Sequence, residues 1–243
     1  MNKIKTNAVK VSKKEMNELN WTRQMKLDYY CNLNNMVTIA TGNTKLGSQV
    51  CGLSMPPIMT CRKNAPCKQG CYATKGTQQF AGVLGTYMKN LRIWKETPEL
   101  FFEQISSYLK YSGYKYTRLF DSGDIPNTTF FQDFIGKVVN QNPNVQFMGY
   151  TKKYEIVNDY LSIYKELPKN LTMIFSAWDN TWTVPNPYNM PIAYVQFKDQ
   201  SKNLQIPTES FECPCGYDKG ANCSICYACW KLKPNESVTF HQH

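Results

Sequence analysis

Histidine is almost missing from this chain of 243 residues: His241 and His243 are the only two. That scarcity excludes Ser-His-Asp and Cys-His nucleophilic catalysis from the body of the protein, and with it most histidine-based metal sites. Acidic residues are also few, 18 against 28 basic ones, for a net charge of +10. Seven of the first 26 residues are basic (Lys3, Lys5, Lys10, Lys13, Lys14, Arg23 and Lys26) against two acidic (Glu15 and Glu18), so this short stretch holds half of the net charge. A basic chain tolerates or seeks polyanions, which leaves nucleic acid open as a partner, with plain solubility as the equal alternative. No apolar run is long enough to span a membrane, so no membrane partner is expected. The Lys-rich N-terminus lacks the apolar core of a secretory signal, which predicts a cytoplasmic protein. Charged residues make up only 19% and hydrophobic ones 42%, a balance that excludes global disorder and predicts a large core.

Cysteine, by contrast, is abundant, and eight of the ten lie in two tight groups. In a reducing compartment clustered thiols mean metal or redox chemistry rather than disulfides. The first group is Cys61, Cys67 and Cys71, spaced C-x5-C-x3-C, with Pro66 and Gly70 each just before a cysteine. Three thiolates on one short loop suit an iron–sulfur cluster that keeps one iron open, or a zinc ion that takes a fourth ligand from elsewhere. The second group is Cys213, Cys215, Cys223, Cys226 and Cys229, spaced C-x-C-x7-C-x2-C-x2-C. Its overlapping CxxC units are metal knuckles. Five thiols exceed the need of one zinc, or of one cluster held only by cysteine, so the metal stays open. Cys51 is a further candidate ligand, with a buried structural thiol as the preferred reading.

The chain between and around these groups has a regular texture. Lys13 to Tyr30 predicts a helix, and residues 31–60, broken by Gly42, Gly47, Gly52, Pro56 and Pro57, an irregular stretch leading into the cysteine loop. Helices are expected over Gln78–Glu96 and from Pro98, where Leu100, Phe101, Ile105, Tyr108 and Leu109 form a core stripe. From Tyr116 onward, strands alternate with helices: Tyr116–Phe120, a helix capped at Asn127 or Thr128, Val145–Tyr150, a helix through Ile156 and Tyr160, Leu171–Phe175, and Ile192–Phe197. That rhythm predicts an α/β fold with parallel strands, whose C-terminal ends share one mouth. The loops at that mouth are Asp121–Asp124, Tyr150–Lys153 and Ser176–Asp179.

In this order of parts the chain resembles the radical S-adenosylmethionine (SAM) superfamily, in which a three-cysteine loop precedes a partial (β/α) barrel. Ser122-Gly123-Asp124-Ile125-Pro126 looks like that family's Gly-Gly-Glu-Pro motif. Tyr150-Thr151-Lys152 and Ser176-Ala177-Trp178-Asp179 stand where its later strand-end motifs would be. Cys67-x3-Cys71 matches the first half of the family's C-x3-C-x2-C loop. Thr74 stands in the third place, so Cys61 serves as the third ligand. A closer likeness is to the phage gene-product-88-like family, carried by Cys67…Cys71-Tyr72-Ala73…Lys75-Gly76, Asp121-Ser122-Gly123-Asp124, Cys223-x2-Cys226-x2-Cys229-Trp230 and the closing Val238–His243.

The resemblance implies a partial (β/α) barrel of the radical-SAM type over residues 61–205. It is preceded by a basic helix and irregular stretch (1–60) and followed by a Cys-rich metal-binding tail (206–243). It implies a viral protein in the host cytoplasm with one or two 4Fe–4S clusters, and a small-molecule ligand, SAM, for radical chemistry. Ser122, Gly123, Asp124, Thr151 and Ser176 would bind that cofactor, with no catalytic residue assigned and zinc as the alternative metal at the tail. The other readings are a metal-stapled nucleic-acid binder, with Arg62, Lys63, Lys68 and Lys75 tracking phosphates and Tyr72 stacking on a base, and a redox partner of phage assembly or replication proteins.

Overall fold

The computed structural model describes residues 11–242. Lys3, Lys5 and Lys10 of the basic N-terminal stretch, and His243, lie outside the described residues. The N-terminal helix expected over Lys13–Tyr30 is two helices, α1 (Lys13–Glu18) and α2 (Arg23–Asn32). The break has a local cause. Asn20 takes a left-handed φ of 54°, and Thr22 caps the second helix by accepting from the Met25 N–H. Ser12 and Glu15 form a reciprocal capping box on α1.

Seven strands make one sheet in the order β1-β2-β3-β4-β5-β7-β6, with every neighbouring pair parallel. The strands expected from the sequence are β2 (Tyr116–Leu119), β3 (Gln146–Thr151), β4 (Leu171–Ser176) and β5 (Ile192–Gln196). Three others were not expected. β1 (Val50–Leu53) falls inside the stretch read as irregular, while β6 (Phe211–Glu212) and β7 (Ser237–His241) fall inside the Cys-rich tail. The sheet therefore runs past residue 61 on one side and past residue 205 on the other. The helices are α3 (Ala81–Glu96), α4 (Pro98–Ser112), α5 (Thr128–Phe134, continuing as a π-helical turn over Ile135–Val139) and α6 (Tyr154–Tyr164). Gln78, expected in α3, lies instead in a 3-10 turn over Gly76–Gln79. Asn127 caps α5 through the Phe130 N–H, as its residue type predicts. Among the described residues no helix is long and apolar enough to cross a membrane.

Strand side chains alternate between two faces, and each face has its own cover. Cys51, Leu53, Leu119, Phe147, Met173 and Phe175 join the main core with the helical residues Phe101, Phe102, Ile105, Phe130, Phe134 and Val157. Cys51 is thus a core thiol, with its sulfur 3.3 Å from Thr117 Oγ1. Val50, Met148, Ile174, Ala193 and Val238 point the other way and are covered by Trp230, with Cys213, Cys223, Tyr227 and Cys229 packed at the border. Parallel neighbours cannot be joined by a tight turn. Residues 213–236 are the crossover between β6 and β7, and they lie on the face that the helices leave bare.

Candidate functional site at the mouth of the sheet

The loops after β1, β2, β3 and β4 meet at one end of the sheet. They enclose a cavity of about 140 Å³ whose wall includes Cys61, Cys67 and Cys71, together with Ser122, Gly123, Asp124, Thr151 and Ser176. All eight residues singled out at this end from the sequence therefore share one space, as parallel strands require. A wider hollow of about 350 Å³ between α4 and α5 carries no thiol, and its Lys137 is already paired with Glu99 and Asp133.

The thiol loop is built from 3-10 turns, Pro66–Gly70 and Tyr72–Thr74, with Pro66 at the start of the first and the Thr74 hydroxyl donating back to the Cys71 carbonyl at 2.8 Å. Thr60 fastens this loop to the next. Its hydroxyl donates to Pro56 O at 3.0 Å and accepts from the Asp124 N–H at 3.0 Å. Gly123 makes the crossing possible. Its φ is +79°, and a Cβ there would fall 2.6 Å from the Met55 carbonyl oxygen and 2.6 Å from Thr60 Oγ1. Gly123→Ala is accordingly expected to destabilise the protein by about 2–4 kcal/mol, from left-handed strain plus overpacking. Urea unfolding measures it, and a loss under 0.5 kcal/mol would mean that the two loops are not held as described.

Asp124 corrects an expectation. The family likeness makes it a cofactor contact, which needs a carboxylate free to accept from the ligand. It is instead consumed by the protein: Oδ1 accepts from the Ile125 N–H (2.7 Å) and the Thr151 hydroxyl (2.7 Å), and Oδ2 from the Lys152 N–H (2.9 Å). The group is 5% exposed, and burial raises its pKa against those three donors. Asp124 and Thr151 thus lock the β2 and β3 loops together. Asp121 is also engaged, paired with Arg118 at 3.1 Å.

What the cavity leaves available is different. Ser122 Oγ is buried with no hydrogen-bond partner, in a residue only 2% exposed. Lys152 reaches in beside it, 2.5 Å from Ser176 Oγ and with its ammonium 5.3 Å from the centre of the Trp178 ring. Burial lowers the Lys152 pKa, and the nearby Cys67, Asp124, Cys61 and Cys71 act to raise it. Burial likewise pushes the Cys61 thiol up to about 11 and raises that of Cys67, with Lys152 opposing the shift at Cys67. Lys152 was no part of the site read from the sequence. The signal was present in a lysine one residue past a strand end, but nothing in the chain says that this ammonium faces three thiols.

The loop's other basic residues are partly spoken for. Arg62 donates to Lys152 O and pairs with Glu155, both at 3.1 Å, and lies 5.2 Å from the Trp182 ring centre. Lys68 donates to the Lys63 carbonyl, and the Tyr72 hydroxyl to that of Asp121. Of the set suggested for phosphate tracking, Lys63 and Lys75 stand exposed.

The tail thiols do not line this cavity. Cys213, Cys223 and Cys229 lie against the tail-covered face of the sheet. Cys223 and Cys226 sit at the two ends of a short helix, α7 (Cys223–Cys226), and Cys215 in a 3-10 turn over Pro214–Gly216. His241 contacts Glu212 across β7 and β6. Among the described residues, no three His, Cys, Asp or Glu side chains gather tightly enough to hold a metal ion. All ten cysteines are free thiols.

A family model described as Gene product 88 matches residues 32–232. No curated protein and no solved structure matches the chain.

Proposed function

The chain belongs to the Gene product 88 family of phage proteins, and from that premise we propose that it is an iron–sulfur protein of radical-SAM-like architecture. Cys61, Cys67 and Cys71 would hold an open-iron 4Fe–4S cluster at the mouth of a partial (β/α) barrel. The observation that carries this reading is the shared cavity, lined by three thiols, the partly buried Lys152 and a buried Ser122 hydroxyl without a partner. The sequential order of β1 to β5, all parallel, supports a barrel-type winding.

Such a cluster, when bound, would supply a low-potential electron to the ligand. The chain's own residues do the rest. Lys152 presents a positive charge that compensates the thiolates and would hold an anionic group of the ligand, the carboxylate of SAM in this reading. Ser122 offers a hydrogen bond that nothing in the protein uses. Gly123 lets backbone approach the cavity, and Asp124 with Thr151 holds the two loops at a fixed separation. Trp178 and Ser176 position the lysine. Asp124 already accepts three hydrogen bonds from the protein, so the cofactor contact given to it by the family likeness is not part of this reading. Work on SAM in the cytoplasm of an infected host is the activity this reading assigns.

The test is anaerobic reconstitution with ferrous iron and sulfide, followed by metal and acid-labile sulfide analysis. Cys67→Ala with Cys71→Ala is expected to abolish the mouth cluster's share of iron, about four atoms per chain. A double variant that retains every iron and sulfide of the wild type overturns the reading, and so does zinc bound without sulfide at this loop. Titration calorimetry with SAM on the loaded protein then decides the ligand. Absence of binding would remove SAM and leave the cluster.

A further inference from the structure

We propose that the rim of the mouth binds single-stranded nucleic acid, with Lys63 and Lys75 on its phosphates and the rings of Tyr72 and Phe80 stacked on its bases. That the strand carries the substrate of the site rests on the mouth reading above; that it binds does not.

The first support is charge. Between Asp28 and Glu96 the chain holds no acidic residue and eight basic ones. Four of these, Arg62, Lys63, Lys68 and Lys75, belong to the loop that carries the thiols. Arg62 is held by Glu155 and Lys68 by the Lys63 carbonyl, while Lys63 and Lys75 stand exposed. The two carboxylates of the cavity wall are engaged, Asp121 by Arg118 and Asp124 by three donors. After β4, Asp179 accepts from the N–H and the hydroxyl of its own neighbour Thr181. The field over the thiol side of the rim is therefore positive, and a polyanion is the partner it draws.

The second support is what stands between those lysines. Ile58, Met59, Tyr72 and Phe80 are each between 43% and 62% exposed. Apolar side chains exposed singly are ordinary; several on one loop beside a cavity mark a contact surface. Pro57, Tyr72 and Ala73 line the cavity, and the Gln79 amide donates to the Ala73 carbonyl at 2.8 Å, which sets Phe80 next to the rim. Ile58 takes a left-handed φ of 67°, an outlier for a β-branched residue. Strain of that kind persists only where the surrounding structure fixes it, and it clusters at binding sites.

The third support decides between polyanions. Tyr72 has its hydroxyl tied to the Asp121 carbonyl while the residue stays 58% exposed, which makes its ring a fixed platform. Aromatic rings interleaved with ammonium groups suit bases alternating with phosphates, and the bases must be unpaired to stack on them. An acidic peptide would use the charges and leave the rings idle. Arg23, at the start of α2, lengthens the same surface: its guanidinium reaches Gln79, 3.2 Å from Oε1 and 3.4 Å from the carbonyl oxygen.

The test is fluorescence anisotropy of the full chain with a fluorescein-labelled oligonucleotide of mixed sequence, about 16 nucleotides long, at about 0.15 M salt. Single-stranded DNA and single-stranded RNA are run in parallel, and the tighter of the two identifies the strand. Lys63→Ala with Lys75→Ala is expected to weaken binding about tenfold and to make the slope of log K against log salt shallower by about 1.4, two phosphate contacts at about 0.7 each. Phe80→Ala is expected to weaken it about fivefold or more with the salt slope unchanged, the mark of one lost base stack. All three positions are exposed, so the melting temperature stays that of the wild type. A wild type that binds neither strand overturns the inference, and so do variants that bind as it does, or duplex DNA bound as tightly as the single strands. Polyglutamate that displaces the strand as well as unlabelled oligonucleotide does would overturn it in favour of an acidic protein. A chain that takes up no iron yet binds the strand in this pattern removes the mouth cluster and keeps the inference; a cluster-loaded chain that binds no strand does the reverse.

Discussion

A chain ending at residue 205 is expected to show no cooperative unfolding transition. The deletion removes β6 and β7, and with β7 the whole parallel pairing along β5 from Ile192 to Gln196. It also strips the cover from one face of the sheet. Leu46, Val50, Met148 and Ile174, each at most 1% exposed, would then meet water. At about 1.5–3 kcal/mol per large apolar side chain, that exposure alone rivals the net stability of an ordinary domain, about 5–15 kcal/mol. Metal ligation, if the tail carries it, adds to the same loss. Scanning calorimetry of the truncated chain without metal is the measurement. A transition within a few degrees of the full-length protein would show that the tail is an appendage and that the second face needs no cover.

Asp124→Ala is expected to cost about 3–5 kcal/mol. Three donors converge on this carboxylate, two of them backbone N–H groups that cannot turn elsewhere. Each donor left unpaired in a buried site costs about 1–3 kcal/mol, and relief of the buried charge offsets part of the sum. Asp124→Asn keeps one acceptor oxygen but turns an amide toward the Lys152 N–H, so its cost should be smaller, about 1–2 kcal/mol. The pH dependence distinguishes this account from mere loss of volume. Burial raises the native pKa above the ordinary 3.8, so the folded chain binds this proton more tightly than the unfolded one. Asp124 therefore contributes most below the unfolded value, and its contribution falls as the pH rises through the native one. Measured against Asp124→Asn by urea unfolding, the wild type's advantage should shrink from about pH 4 upward. An advantage that grows with pH would mean that the three donors outweigh burial and hold the group as an anion.

The two thiol groups, the strand–helix rhythm and the common mouth were legible because each is a local pattern. Three cysteines in eleven residues need no fold to be recognised. The apolar spacing of Phe101, Ile105 and Leu109 announces a helix whatever it packs on. Parallel strands place their C-terminal ends together by connectivity alone, which brought Ser122, Asp124, Thr151 and Ser176 to the cavity of Cys61, Cys67 and Cys71. β1 escaped notice because its four residues, Val50-Cys-Gly-Leu53, are buried on both faces and show no alternation. The same blindness affected β7, which is a strand because β5, some forty residues earlier, offers its free edge.

What the amino-acid order determined by itself was therefore the kinds of element, their parallel arrangement and the two places where thiols are concentrated. The tertiary structure alone decided which polar groups remain for a ligand. Asp124 and Asp121 look available in the sequence and are engaged by Thr151, two backbone N–H groups and Arg118, while Ser122, singled out with them, keeps a hydroxyl without a partner and Lys152, not singled out, lines the same cavity. Only the folded chain, too, set the Cys-rich crossover on the uncovered face of the sheet. The reason is the same in both cases. Hydrogen bonds and burial are settled between residues far apart in the chain, and a side chain's chemistry depends on which partners have already taken it.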